Sequence, residues 1–181
     1  IASQQSDALH GQTALVLEDA AAAIEAKARV YLMALRRMAD RWEADGRSDV
    51  GGWERDAEAY VRDFKGEDVV AWVDKDAVVR RVAPPQDNRA LLDVDMVTYP
   101  AARDALESAF RHASDAMSEP FQIQGERSVV LLCAPIFVRG ESDGAIVGVL
   151  DPSAFLASAI SGHVSDEYEV SVRLGDETLY D

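Results

Sequence analysis

The chain is short of cysteine, lysine and uninterrupted apolar sequence, and each shortage excludes something. Its single cysteine, Cys133, rules out an internal disulfide framework and a cysteine-based zinc site. Three lysines, Lys27, Lys65 and Lys75, accompany fifteen arginines and twenty aspartates among 181 residues, and the formal net charge is −15. A chain of that sign is repelled by phosphate backbones, so no nucleic-acid partner is expected. The longest apolar run, Val129 to Val138, has ten residues and contains Pro135, whereas a membrane-spanning helix needs about 20. The first residue is Ile1, not methionine. The sequence therefore reads as a segment of a longer or processed protein, with membrane contact only through flanking segments.

Chemical motifs are scarce as well. There is no Gly-x-Ser-x-Gly elbow and no phosphate loop. His10, His112 and His163 lack ligand spacing, and neither Asp74-x-Asp76 nor Asp93-x-Asp95 continues into a calcium loop. No catalytic residue, metal site or cofactor is assigned, and the domain is not expected to be an enzyme.

What is present is enough apolar sequence, 48%, to build a core in one domain of this length. From residue 3 to 45, Leu9, Val16, Ile24, Tyr31, Leu35, Met38 and Trp42 keep one face of a helix, and Gly46 suits its C-cap. Such a helix would be about 60 Å long at ~1.5 Å per residue. Part of its stripe should project from the body or face another chain. A second helix is expected from about Gly52 to Phe64, closed by Gly66.

The period then changes to two. Val69–Asp74 and Ala77–Val82 flank the polar turn Asp74-Lys75-Asp76 as a hairpin, and Pro84 and Pro85 end its second strand. Residues 87–99 read as a loop with a short irregular turn. Pro100 suits the first turn of a helix whose stripe runs from Ala102 to Met117, broken by Pro120. Strands are expected at Phe121–Gln124, Ser128–Val138 and Gly144–Leu150, with Gly125–Arg127 and Gly140–Asp143 as turns. Asp151 and Pro152 open a short helix to Ile160, and Glu169–Tyr180 forms a last hairpin that either joins the sheet or begins another lobe.

This order lacks the alternation of a parallel dinucleotide-binding fold. It predicts an α+β, PAS-like architecture: a five-stranded antiparallel sheet, helices packed on it and a long N-terminal helix. The boundaries are 1–46 for the long helix, 47–160 for the PAS-like core and 161–181 for the C-terminal hairpin.

An ordered series of residues supports a family resemblance. Trp53, Ala57, Tyr60, Phe64 and Gly66 precede Val70-x-Trp72-Val73-Asp74 and Val79-x2-Val82-x-Pro84. Asn88, Asp95 with Pro100, Pro135-Ile136-Phe137 and Gly144-x-Ile146-x-Gly148-Val149 follow. Over roughly residues 50–160 this series resembles an extracytoplasmic sensor domain of the CHASE/Cache group. It lacks the arginine-tryptophan-tyrosine run of amino-acid-binding double-Cache domains, so no ligand identity is carried over. The resemblance implies the input domain of a membrane-anchored receptor, coupled to a histidine kinase, diguanylate cyclase or chemoreceptor module. It also implies homodimerisation through the first helix. A cytosolic PAS-like sensor and a dimerisation or structural domain without a ligand are the alternatives.

A small-molecule pocket is expected between the sheet and its loop-helix cover. Alternation places Val70, Trp72 and Asp74 on one face of their strand. It places Arg80 with Val78 and Val82, and Arg81 with Val79 on the other side. One arginine should point away from solvent, either to clamp an anionic ligand or to pair with Asp74 or Asp87 at the sheet margin. Trp72 either stacks a ligand or fills the core. Asn88, Tyr99, Arg103, Phe121, Cys133 and Pro135 complete the candidate ligand-binding set, and Cys133 is also read as a small buried hydrophobe.

Overall fold

The computed structural model describes residues 2–46, 50–64, 69–125, 127–161, 171–174 and 177–180. The expected closing Gly66, His163 and the start of the last hairpin lie outside these residues. Helix α1 runs unbroken from Ala2 to Asp45, and Gly46 follows with φ +64°, the left-handed value that ends helices at glycine. The chain divides into two compact units, residues 31–151 and residues 1–30 with 152–181.

In the larger unit the sheet runs through five antiparallel strands, the number the PAS-like reading expects, in the order β2-β1-β6-β5-β3. They are β1 (Val69–Val73), β2 (Val79–Ala83), β3 (Ala116–Met117), β5 (Arg127–Val138) and β6 (Glu141–Leu150). Strand β4 (Phe121–Ile123) pairs with the first residues of β5. One face carries α4 (Pro100–His112) and the segment before it, which forms the short helix α3 (Pro85–Asn88) and two 3-10 turns. The core on that side joins Val69, Ala71, Val73 and Cys133 to Met96, Ala105 and Leu106.

The last turns of α1 and helix α2 (Val50–Asp63) supply the other layer, where Leu35, Met38, Trp42, Trp53 and Tyr60 are buried. Arg41 Nε donates to Asp56 Oδ2 at 2.6 Å, tying the two helices together. The backbone N–H of Phe137 donates to Glu43 Oε1 at 2.9 Å, tying α1 to β5. Gly148 lets α1 approach, since a Cβ there would stand 3.2 Å from Leu35 Cδ1.

Three local expectations are corrected. Helix α4 does not reach Met117: Ala113 turns left-handed at φ 48°, and Ala116–Met117 pairs with Cys133 and Leu132. Buried Ser118 secures that turn, because its N–H donates to Leu131 O and its Oγ accepts from Leu131 N, both at 2.9 Å. The β5–β6 turn is the pair Arg139-Gly140, both at positive φ, so the strand starts at Glu141 instead of Gly144. Strict alternation also fails on β2, where Val73 pairs with Val79 but Trp72 pairs with Arg81. Arg80 is the extra residue of this bulge. Val79 and Val82 therefore share the α4-side core, while Arg81 joins Trp72 on the opposite side.

In the smaller unit, Lys27 of α1 hydrogen-bonds Ser158 of α5 (Pro152–Ile160) and lies 5.6 Å from the Phe155 ring centroid. Strands β7 (Val172–Leu174) and β8 (Glu177–Tyr180) form a two-stranded sheet of their own, and Ser153 Oγ donates to Leu179 O.

Two substitutions test this packing. Gly144 has φ +104°, and a Cβ there would lie 2.0 Å from Val73 O. Gly144→Ala should destabilise by about 3 kcal/mol or more in urea unfolding. Leu35→Ala, which empties a fully buried site, should cost about 2–5 kcal/mol.

Candidate functional site

The polar residues of the β1–β2 hairpin form a brace. Asp74 Oδ1 accepts the N–H groups of Asp76 (2.9 Å) and Val78 (3.0 Å), and Oδ2 accepts Arg80 Nε at 2.7 Å. Arg80 Nη1 then donates to Asp93 at 2.9 Å. Burial pushes the Asp74 carboxyl up, but the Arg80 and backbone hydrogen bonds outweigh it and hold the group below its ordinary value. The same bond to Asp74 raises the Arg80 guanidinium. Asp93, and not Asp87, is the second carboxylate at this margin.

The remaining candidates are dispersed. Asn88 Nδ2 donates to Pro84 O at 2.9 Å, and Arg103 pairs with its neighbour Asp104 at 3.3 Å. Tyr99 OH accepts the Gln124 N–H at 3.2 Å, and its ring centroid lies 5.4 Å from that of Phe121. Cys133 is fully buried, and burial, aided by the Asp115 charge, pushes its thiol up to about 12. It is inert as a nucleophile. Pro135 sits opposite Ala145 on the same sheet. On the loop-helix side of the sheet, Met96, Leu106 and Ile123 belong to the core, with Tyr99 and Phe121 packed against it.

A different site lies on the other side of β2. A cleft of about 370 Å³ runs along this edge strand, lined by Trp53, Glu54 and Glu58 of α2, Arg80 and Arg81 of β2, and Leu92. The Arg81 guanidinium carbon is 5.9 Å from the ring centroid of Trp53 and 5.8 Å from that of Trp72. Trp72 stacks on Trp42 with centroids 4.9 Å apart. Asp143 holds both indoles, its Oδ2 accepting Trp42 Nε1 at 2.8 Å and its backbone O accepting Trp72 Nε1 at 3.3 Å. Arg81 Nη1 and Trp53 Nε1 are buried without a hydrogen-bond partner among the described residues.

Of the ten candidates, only Arg80 and Arg81 line this cleft, and Trp72 reaches it through Arg81. Trp42, Trp53, Glu54, Glu58 and Asp143 were not singled out as site residues. One signal was available: the chain has three tryptophans, and all three meet here. Among the described residues, no group of three or more His, Cys, Asp or Glu side chains is arranged to hold a metal ion.

Residues 12–180 match the CHASE domain family. The chain belongs to it. This CHASE domain shares its fold with ligand-binding domains of receptors. It resembles an extracellular ligand-binding receptor from Desulfohalobium retbaense DSM5692 (TM-score 0.65, 18% identity, 84% of this chain and 27% of that one). It also resembles the sensory domain of the Campylobacter jejuni chemoreceptor Tlp3 with isoleucine bound (TM-score 0.62, 13% identity, 89% of this chain and 66% of that one). A third likeness is to the ligand-binding domain of the Pseudomonas aeruginosa PAO1 amino-acid chemoreceptor PctC in complex with GABA (TM-score 0.56, 17% identity, 77% and 64%). The CHASE domain thus spans less than two thirds of each of these chains. No curated protein matches its sequence. Among its described residues, no helix is long and apolar enough to cross a membrane.

The brace makes a pH prediction. A carboxyl lowered in the folded state stabilises the fold above its unfolded value, near 3.8, and this contribution is lost as pH falls through the folded value. Asp74→Asn should therefore lower the melting temperature at pH 7. The difference from the native chain should shrink below about pH 4, as read by thermal melts across pH.

Proposed function

We propose that this CHASE domain is the extracytoplasmic input domain of a membrane-anchored signalling receptor. It binds a small molecule and passes a conformational change to an output module, such as a histidine kinase, across the membrane. The observation that carries this reading is the family match over residues 12–180. The shared fold supports it, since related folds hold isoleucine in Tlp3 and GABA in PctC. Helix α1 is the natural transmitting element. It is 44 residues long, and its final turns bear on the sheet that also carries the cleft. A ligand shifts such an element only by binding one of its arrangements more tightly than the other.

The same reading makes the domain a homodimer through α1. Leu15, Ala22, Ala26 and Val30 fall along one side of the helix and are exposed, Leu15 by 62% and Val30 by 53%. A second copy of the helix would cover that strip.

A metabolite screen by thermal shift tests the sensing. A ligand present at about 100 times its dissociation constant adds about 2.7 kcal/mol, which raises the melting temperature by roughly 5–10 °C in a domain of this size. A panel of amino acids, amines, organic acids and nucleobases without any stabilising member would favour a purely structural domain. Sedimentation velocity tests the pairing: the native chain should sediment as a dimer and Val30→Glu as a monomer.

A further inference from the structure

We infer that the cleft along β2 is a binding site for a small zwitterion, a carboxylate carrying an ammonium or similar cationic group. Arg81 is the carboxylate anchor, and Glu54 and Glu58 receive the cation. The inference rests on the sensing reading above and deepens it by naming the site and the ligand class.

The argument starts from charge that lacks a protein partner. In a chain with net charge −15, a basic side chain has carboxylates in excess to choose from. Arg80 takes two of them, Asp74 and Asp93. Arg81, its neighbour, takes none among the described residues. It lies over the faces of Trp53 and Trp72, and its Nη1 is buried without an acceptor among the described residues. Trp53 is only 3% exposed, and its Nε1 is a second buried donor left unmatched. Buried donors without acceptors are costly in a folded protein. Two of them from residues lining one cleft point to an acceptor that arrives from outside, and a guanidinium suits a carboxylate's paired oxygens.

A plain anion fits the surroundings poorly. Glu54 and Glu58 also line the cleft, one turn apart on α2, and among the described residues neither forms an ion pair. A simple carboxylate would meet their repulsion and that of the whole acidic surface within the ~8 Å screening length of physiological salt. A net-neutral ligand escapes the long-range term and meets complementary charge at both ends. About 370 Å³ is room for such a molecule.

The tryptophans connect this site to α1. Arg81 lies over Trp72, Trp72 stacks on Trp42, and Trp42 belongs to α1 and is fixed through Asp143. A carboxylate that draws the guanidinium toward itself changes its seat on Trp72 and so the packing of the helix that leaves the sheet.

All three tryptophans report on this column, so intrinsic fluorescence reads the site directly. The chain is titrated with ω-amino acids from glycine to 6-aminohexanoate, each against the carboxylate and the amine of matching length. At least one zwitterion should change the emission saturably and bind at least about tenfold more tightly than either matched probe. Arg81→Gln should weaken it about tenfold or more, with Arg81→Lys falling between. Because Arg81 sits between two indoles, the surface pair Glu54→Gln/Glu58→Gln provides a second test that spares the packing, and it should abolish the preference for zwitterion over carboxylate. A carboxylate that binds as well as its zwitterion overturns the proposal, as does a zwitterion unaffected by either set of variants. A metabolite that stabilises native chain and variants equally overturns the cleft while leaving the sensing reading intact. Absence of any stabilising metabolite overturns both.

Discussion

The middle of the sheet is buried on both faces, and most of the structure's arrangement follows from that. Every residue of β1 and the central residues of β5 and β6 are shielded from water, so each side chain must enter one of two separate cores. The α4 side takes the aliphatic and small residues. The α1–α2 side takes the large aromatics, Trp42, Trp53, Tyr60 and Trp72. Each large apolar side chain withdrawn from water contributes about 1.5–3 kcal/mol, and the close approach that this requires depends on glycine. Gly148 leaves room for Leu35, and Gly144 lets β6 pass beside the backbone of β1.

Burial on both sides also decides where polar chemistry can sit. Charged groups are excluded from the buried middle of the central strands and sit at the strand ends and along the edge strand β2. There the bulge at Arg80 separates two neighbouring arginines that differ in almost every respect. Arg80 turns to the solvent side and locks the hairpin through Asp74 and Asp93, a structural task. Arg81 turns inward between two indoles, with a nitrogen that no described residue satisfies. One extra backbone residue makes the difference, because it resets the face to which every following side chain points.

For a sensor, that placement is useful. The cleft opens at the sheet edge, yet its floor continues through stacked rings to the longest element of the fold. The opposite core contains Met96, Leu106 and Ile123 together with a fully buried Cys133. In this CHASE domain the two sides of one sheet differ in packing, one covered by α4 and the other by α1 and α2.

Local signals in the sequence were enough for the long helix, the hairpin at Asp74, Pro100 at the start of α4 and the antiparallel α+β order. These depend on period, capping and turn chemistry between residues close in the chain. The ordered series from Trp53 to Val149 was also enough to point to the family. The early end of α4 was not legible, because the Ala102–Met117 stripe keeps helical spacing and only pairing with β5 pulls Ala116 and Met117 into a strand. The cleft was legible in part. Arg81 could be named from the sequence, but Trp53 and Glu54 looked like ordinary helix residues, since nothing local brings positions 42, 53, 72, 81 and 143 together. Residue order determined which elements form and which faces are apolar. Tertiary structure alone decided which of two adjacent arginines turned inward between indoles without a carboxylate among the described residues, because that depends on a strand register and a helix crossing set by residues far apart in the chain.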